Sequence, residues 1–459
     1  MMYDKFSPNL VLSSYTPTYI PDLVFSSSTP TYIPDLCHRF PEKYETESLD
    51  CAFDQSQVLK EIFDHYTKEK PSVRIVSQLS PKDCVPSLAA KPINSMKKII
   101  AYSKLIPSIV SVSAFYGVSR TIDCSGLIVE WDAIKKEAII LTSAKLLWSP
   151  IDDSRENHII IRLADGTLLL GKEDYVDYYH NLLTLKVKST TELNFVDLRS
   201  KEAVCEDLVD GMTVISLARM FPLCSLSDYA GELCLEYPYF GCQELLRSTC
   251  HVSAESEGGP LVNDSGYLVG MNFVDDYGFS HPLPIPIILA SLDLWRSYRA
   301  VVRPWFGFSV VDVHQLPPHV WERFNVSPTD SYVVVKEVYE GSHAYERGVQ
   351  PGDIVATCNG IAIHSAKQYS QLLFDRSCMV TSSGGSNMFC QSFKVVVQSA
   401  DDCPTGEINV EAENLAVVDK RFCQCWPPLE KAEWASNKYG SQTNKKSDFD
   451  WRFGRFEKK

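Results

Sequence analysis

The sequence predicts a mainly β protein in which a long series of short strands precedes a compact α+β module. From about Ser95 to residue 300, short apolar segments rich in β-branched residues follow one another, and turn residues separate them. After about Arg303 the pattern changes, because the strands are then followed by an amphipathic helix. A region of roughly 200 residues with short strands and no long helix is typical of a β-barrel or a β-sandwich.

The strands of the first region are predicted from apolar segments that are bounded by turn residues. Asp165 and Gly166 lie between two apolar runs, and an Asp-Gly pair in such a place favours a β-hairpin. The segments predicted as strands, one of them containing this hairpin, are IPSIVSVSAFYG (106–117), CSGLIVEW (124–131), EAIILTSA (137–144), HIIIRLADGTLLLG (158–171), NLLTLKV (181–187), MTVISLA (212–218), GPLVNDSGYLVGMNF (259–273) and HPLPIPI (281–287).

The second region has the length of one small domain, roughly 110 residues. Its strands are predicted in WFGFSVVDV (305–313), in the segment 331–363 and in FKVVVQ (393–398). SAKQYSQLLF (365–374) has the apolar spacing of an amphipathic helix. The sequence therefore predicts an α+β module over residues 303–414.

The two ends of the chain have a different composition. Residues 1–95 form a predicted extension in which SSYTPTYIPDL (13–23) returns as SSSTPTYIPDL (26–36). The prolines in both copies favour extended backbone, so this part is predicted to be partly disordered; the alternative is a duplicated peptide that docks a partner. A short helix is predicted from about Asp54 to Lys70. Residues 415–459 are predicted to be a C-terminal tail, which is polar from about Trp426 and is expected to be loosely ordered from there.

Charge and cysteine usage limit the class of protein. The chain has 44 Lys and Arg against 58 Asp and Glu, a net charge of −14, which argues against broad binding of nucleic acid. Its 15 cysteines include no C-x-x-C pair and no Cys/His cluster at zinc spacing, so neither a metal nor a cofactor is expected. We interpret the cysteines as reduced thiols of a protein in the cytoplasm or the nucleus. No signal peptide or membrane span is expected.

Several segments occur in the order and spacing of a known family. They are CSGLIVE (124–130), ILTSAKLL (140–147), HNLLTLKV (180–187) and SEGGPLVNDSGYLVGMN (256–272). With them, residues 100–412 resemble the HtrA/DegP-like serine proteases, and most closely the divergent plant members. The resemblance implies a trypsin-like double β-barrel over residues 96–300, followed by a PDZ domain over 303–414.

The same resemblance places unusual residues at the catalytic positions. Lys145 stands where the family has its general-base histidine, Asn181 where it has the aspartate, and Glu257 where it has the nucleophilic serine. Glu255 replaces the glycine that keeps the oxyanion turn open. A protonated lysine cannot accept a proton, an asparagine supplies no carboxylate, and a glutamate is no substitute for a serine hydroxyl. The sequence therefore predicts an inactive protease homologue.

These residues can be arranged as an active site or as an inactive one. In the alternative active enzyme, Ser256 is a displaced nucleophile and Lys145 is its base, in a protein-quality-control endopeptidase. In the arrangement we favour, Lys145 and Glu257 form an ion pair that fills the former site, as opposed to two exposed and uncoupled side chains. A gene copy without a selected role is a further alternative.

The module over 303–414 departs less from the family pattern. Trp305, Phe306, Gly307 and Phe308 resemble the loop whose backbone N–H groups capture a peptide C-terminus. Leu372, on the following helix, is predicted to form a wall of the side-chain pocket. The resemblance implies binding of C-termini or internal strands, in a scaffold, a chaperone-like protein or a regulator of active relatives. A homo-trimer or a hetero-oligomer with such relatives is expected; retention of the module only for packing is the alternative.

Overall fold

The computed structural model describes most of the chain between residues 102 and 426. The described segments are 102–116, 119–147, 157–205, 207–221, 224–235, 241–275, 278–299, 301–316, 331–382, 393–398 and 407–426. The duplicated N-terminal segment and the predicted helix over 54–70 lie outside these residues.

The first sheet closes into a barrel with strand order β1-β2-β3-β6-β5-β4. Its interior is filled by aliphatic side chains of alternating strand positions, among them Val112, Ile128 and Leu185, all at most 1% exposed. The predicted hairpin at Asp165-Gly166 is confirmed, because Gly166 has a φ of +90° between two antiparallel strands. The strands are β1 (Ile109–Tyr116), β2 (Ser119–Asp132), β3 (Glu137–Ser143), β4 (Asn157–Arg162), β5 (Leu168–Asp177) and β6 (Leu182–Lys188).

The second sheet has six strands in the order β12-β11-β10-β7-β8-β9. These are β7 (Thr213–Arg219), β8 (Leu226–Cys234), β9 (Arg247–Ser248), β10 (Pro260–Asn263), β11 (Leu268–Met271) and β12 (Leu283–Pro284). The strand predicted over 281–287 was wrong beyond Pro284, since helix α1 (Ile285–Tyr298) begins there. A proline in the first turn fits a helix, and Ile285, Ile288 and Leu292 form its buried face.

The third part is an α+β module. Its sheet has the order β14-β15-β16-β18-β19, with β17 paired to β16, and helix α3 extends the predicted helix to Ser382. A separate two-stranded ribbon joins β13 to β20. The elements are β13 (Val302–Trp305), β14 (Phe308–Asp312), β15 (Val333–Val338), α2 (His343–Glu346), β16 (Ile354–Cys358), β17 (Ile361–Ala362), α3 (Ala366–Ser382), β18 (Lys394–Gln398), β19 (Glu407–Glu411) and β20 (Glu413–Ala416).

The segment after β19 returns to the barrel. The tail predicted from residue 415 starts inside β20, and Leu415, Val417, Phe422 and Trp426 belong to the hydrophobic core that the barrel strands form. Trp426 Nε1 donates to the carbonyl oxygen of Tyr178 at 3.0 Å. The apolar side chains of this segment account for its packing in the core. The hydrogen bond to Tyr178 supplies the partner that a buried tryptophan N–H group requires.

The predicted fold class is confirmed: the protein is mainly β, with a trypsin-like arrangement of a barrel and a second sheet before an α+β module. Within the described segments, no helix combines the length and the apolar character needed to cross a bilayer.

Candidate functional site

The three residues that the resemblance assigns to catalysis come from separate elements and lie together in the structure. Lys145 is in a 3-10 helical turn that directly follows β3. Asn181 precedes β6 and has a φ of +55°, in the left-handed region that asparagine tolerates better than most residues. Glu257 follows a second 3-10 turn, Ala254–Ser256, ahead of β10. The first barrel therefore contributes two of these side chains, and the loop before β10 contributes the third.

Lys145 and Glu257 form a buried ion pair. Lys145 Nζ lies 3.1 Å from Glu257 Oε2, and the two residues are 8% and 4% exposed. The pairing hypothesis is thus confirmed, and the alternative of two exposed side chains is wrong. Lys145 Nζ also donates to the carbonyl oxygen of Val274 at 3.4 Å. The ammonium group is therefore held by two acceptors on the same side of the site.

The carboxylate of Glu257 accepts hydrogen bonds at both oxygens. Oε1 accepts from Ser143 Oγ at 2.8 Å and from Asn181 Nδ2 at 2.9 Å. Oε2 accepts from Lys145 Nζ at 3.1 Å and from the Val274 N–H at 2.8 Å. Four donors from three separate segments of the chain thus converge on one carboxylate, which is how a buried charge is retained in a folded protein. The sequence had indicated Lys145 and Asn181 but gave no signal for Ser143 or Val274.

The loop that carries Glu257 is closed by its own hydrogen bonds. The Glu257 N–H donates to the carbonyl oxygen of Ala254 at 3.2 Å, and the carbonyl oxygen of Glu255 accepts from Ser125 Oγ at 2.6 Å. Gly258 has a φ of +76°, and a Cβ there would lie 2.6 Å from the Ser125 carbonyl oxygen. The backbone donor at Glu257 is therefore engaged within the turn and is not directed at the position of a substrate oxyanion.

Ser256 is fully buried beneath the same turn. Its side chain is 0% exposed, and Oγ has no hydrogen-bond partner among the residues that the structure describes. The ammonium of Lys145 contacts Glu257 and Val274.

A thiol also lies close to this site. Burial raises the pKa of Cys124 well above its usual value, and the charge of Glu257 contributes further to this rise.

A second buried polar cluster lies where the barrel meets the α+β module. Arg303 Nη2 donates to Glu244 Oε1 at 2.8 Å and to Ser370 Oγ at 3.2 Å. His180 Nδ1 lies 2.7 Å from Asp177 Oδ2, and His180 Nε2 lies 4.0 Å from Glu244 Oε1. The cluster therefore joins a barrel strand, the loop before β9, β13 and helix α3. Sequence reasoning missed it, because its members share no motif or regular spacing.

Opposing effects set the pKa values of the two carboxylates in this cluster. Burial alone would raise the pKa of Asp177, but the charge and hydrogen bond of His180 outweigh burial, so the net pKa is lowered. Burial likewise opposes ionisation of Glu244, and the charge of Arg303 outweighs it, which lowers the pKa of Glu244. Both groups are thus held as buried carboxylates by a cationic or hydrogen-bonding neighbour.

A small cavity separates β14 from helix α3. Of the predicted peptide-binding residues, Trp305, Phe306 and Phe308 line it, and Gly307 connects them with a φ of +82°. Leu372 is half-buried beside the module's core, and the next residue, Leu373, lines the cavity. The cavity has a volume of about 50 Å³. Barrel-side residues also line it: Tyr179, Gly241, Gln243 and Phe422.

Comparison with known proteins indicates sequence relatives among proteases. No protein-family model matches the chain. The chain is 27% identical over 280 residues to the putative protease Do-like 14 of Arabidopsis thaliana, which covers 57% of this chain and 62% of that protein. It is 24% identical over 246 residues to the serine protease Do-like HtrA of Bacillus subtilis (strain 168), covering 48% of this chain and 53% of that protein. The chain thus spans roughly half to three-fifths of the curated relatives it matches.

Solved structures of two proteases are also similar to part of the chain. The HtrA-type protease AlgW with tripeptide has a TM-score of 0.48 and 17% identity, covering 70% of this chain and 97% of that one. The serine endoprotease from Yersinia pestis has a TM-score of 0.45 and 17% identity, with the same shares covered. Over about half of its length, the chain is similar in sequence to Do-like and HtrA-type serine proteases.

Proposed function

We propose that this protein is a catalytically inactive homologue of the HtrA-type serine proteases that works by binding peptides or proteins. The observation that carries the proposal is the carboxylate of Glu257, which stands where the resemblance puts the nucleophile and accepts hydrogen bonds from four donors. A carboxylate in this environment is a structural anchor that joins the segments carrying its four donors. Both of its oxygens are engaged by these donors, so neither is directed at a substrate as a nucleophile.

The neighbouring groups support the loss of activity. Lys145 Nζ is engaged in an ion pair with Glu257, so it is not directed at a serine hydroxyl as a general base would be. Asn181 donates to Glu257, so it does not orient a base. The Glu257 N–H is engaged with Ala254, which leaves this donor unable to stabilise an oxyanion. Each requirement of acyl transfer is therefore unmet at its expected position.

The alternative active enzyme, with Ser256 as nucleophile and Lys145 as base, is less well supported. Ser256 Oγ is buried, and among the described residues the Lys145 ammonium donates to Glu257 and Val274 rather than to Ser256. A substrate carbonyl would need access to Ser256, and the lysine would need to be released from Glu257. Both changes oppose the hydrogen bonds described above.

Binding would take place at the α+β module, which we propose to be a PDZ domain. Strand β14 is at the edge of its sheet, and an edge strand offers backbone groups with which an extended peptide can pair. Among the described residues, none accepts a hydrogen bond from the N–H of Phe306 or of Gly307. These two donors, at the start of β14, are suited to a peptide carboxylate or carbonyl. A scaffold, a chaperone-like protein or a regulator of active relatives would use such a groove, alone or in a mixed oligomer.

The experiment is cleavage of casein and of fluorogenic peptides by the purified full chain, run beside Ser256→Ala and Lys145→Ala. We expect no activity above a mock purification and no labelling by a serine-directed phosphonate, which requires a nucleophilic serine. Activity that disappears in both variants would overturn the proposal in favour of the Ser256/Lys145 enzyme. Activity that persists in both variants would indicate a contaminating protease, and the Lys145→Ala sample then serves as its control.

A further inference from the structure

Two of the residues that line the cavity between β14 and helix α3 each have a buried polar atom without a partner among the described residues. Arg303 is 1% exposed, and its Nη1 has no hydrogen-bond partner among the described residues. Ser309 Oγ is also buried without such a partner. Both residues line the same cavity, whose other walls are largely aromatic. Because an unpaired buried polar atom costs free energy, a cavity lined by two such residues is suited to a ligand that pairs with them.

The charged groups beside the cavity limit the kind of group that can enter. The guanidinium of Arg303 is already paired with Glu244, at 2.8 Å through Nη2. Glu244 also accepts from Tyr179 and Ser370, and Asp177 lies beyond His180 in the same buried cluster. A second carboxylate in the cavity would bring a like charge close to Glu244 in a desolvated place. A neutral group is therefore favoured over an acidic one.

The volume of the cavity limits the size of that group. About 50 Å³ is the space of one or two water-sized groups. A carboxamide has this size, and it combines an acceptor with a donor. Its carbonyl oxygen can accept from Arg303 Nη1, and its NH₂ group can donate to Ser309 Oγ. An aliphatic side chain of similar size would leave both protein atoms unpaired, which costs affinity.

We propose that this cavity is a specificity subsite for an uncharged carboxamide side chain, that of asparagine, in a peptide bound along β14. The inference rests on the peptide binding proposed above. Arg303 Nη1 and Ser309 Oγ are its two hydrogen-bonding groups, and Glu244 rejects the isosteric aspartate. The residues on the barrel side, Tyr179 and Gln243, make the subsite a joint product of the barrel and the module.

The test begins with a library of random heptapeptides with free C-termini, selected on the full-length chain. A selected peptide is then synthesised in three forms that carry asparagine, aspartate or leucine at the enriched position. Their affinities are measured by fluorescence polarisation for the wild type, for Ser309→Ala and for the control Ser265→Ala. Ser309→Ala removes a hydroxyl that has no partner among the described residues, and Ser265 lies at the exposed turn between β10 and β11.

We expect the asparagine form to bind about tenfold more tightly than the aspartate form, and Ser309→Ala to reduce this preference about fivefold. Ser265→Ala should leave it unchanged. Enriched peptides without a carboxamide preference, or a preference that Ser309→Ala leaves intact, would overturn the subsite while peptide binding stands. If no peptide is enriched, peptide binding itself is contradicted, and the subsite falls with it.

Discussion

Lys145 and Glu257 lie 112 residues apart in the chain and 3.1 Å apart in the fold, where they form a buried ion pair across the loops that close the first barrel. Desolvation of two charges is costly, so such a pair contributes little net stability compared with an apolar pair. Removal of one partner is different, because it leaves the other charge buried and uncompensated. The pair is therefore best tested by comparing single and double substitutions.

We predict that Lys145→Ala lowers the free energy of unfolding by about 3 kcal/mol, because Glu257 then loses its cationic partner. The double variant Lys145→Ala/Glu257→Ala should lose clearly less than the sum of the two single losses, by at least about 1 kcal/mol. Urea denaturation followed by circular dichroism measures all the variants.

The matched control is the exposed pair of Lys394 and Glu411, whose side chains are 47% and 48% exposed. Substituting Lys394 by alanine should have no measurable effect, because solvent screens an exposed pair. Additive losses at Lys145 and Glu257 would contradict the coupling that the geometry implies.

The second prediction concerns Asn181, whose Nδ2 donates to Glu257 Oε1 at 2.9 Å. Asn181→Asp replaces this donor by a carboxylate of the same shape and places two like charges in contact. We expect a loss of about 2 kcal/mol or more in the free energy of unfolding at pH 7, since like charges in a desolvated site are costly. The left-handed backbone of residue 181 adds no strain, because aspartate also tolerates it.

Combining Asn181→Asp with Glu257→Gln should recover most of this loss, since one of the two charges is then removed. The measurement is thermal unfolding at equal ionic strength for both variants. If Asn181→Asp were as stable as the wild type, the carboxylate of Glu257 could not accept from residue 181 in solution. That result would also weaken the argument that the site is closed.

The two buried polar clusters differ in how far sequence reasoning could reach them. The pairing of Lys145 with Glu257 was predictable, because the segments around both residues match a family order that brings these positions together. Ser143 and Val274 were not, since Val274 contributes only a backbone N–H and a serine after a strand has no distinctive pattern. Arg303 and Glu244 are 59 residues apart and belong to different parts of the fold, so only the packed structure shows their contact.

The strands were easier to predict than the elements that follow prolines. Period and turn residues located the barrel strands, whereas the strand predicted over the Pro-rich segment 281–287 concealed the start of α1 at Ile285. Trp426 was assigned to a polar tail because its neighbours in sequence are polar. Its burial depends on contacts with Tyr178 and Phe273, which sequence spacing does not encode.

The third prediction is that Trp426 anchors the segment after β20 to the barrel. Its ring packs against Phe273 with centroids 4.9 Å apart, and its Nε1 donates to two backbone carbonyl oxygens. Trp426→Ala should lower the free energy of unfolding by about 3–5 kcal/mol, because it leaves a large cavity and removes the Nε1–H donor. Denaturant unfolding measures the loss, and Ile134→Ala is the control, since Ile134 is 96% exposed. Equal stability of Trp426→Ala and wild type would contradict this anchoring.

The fourth prediction concerns acid stability and rests on Asp177 and Glu244. The pKa of Asp177 lies below its ordinary value of 3.8, and that of Glu244 below 4.5, so each is more acidic in the folded protein than in the unfolded chain. Their contribution to stability is therefore complete above these ordinary values. It is lost as the pH falls through the lower, folded values, where the buried carboxylates become protonated. Unfolding free energy should thus be steady from neutral pH down to about 5 and should then decline with acid.

Asp177→Asn separates this effect from general acid denaturation. Asparagine has one acceptor oxygen where aspartate has two, so it cannot accept from the His180 N–H at one position and from Ser291 Oγ at the other, and stability at pH 7 should be lower than in the wild type. The decline in acid should be shallower, because one group that takes up a proton on unfolding has been removed. The measurement is urea denaturation at a series of pH values between 7 and 2, at constant ionic strength. Parallel profiles for the variant and the wild type would mean that Asp177 is not more acidic in the fold, and the cluster at the junction would then owe its stability to packing and to the Arg303 and Glu244 pair.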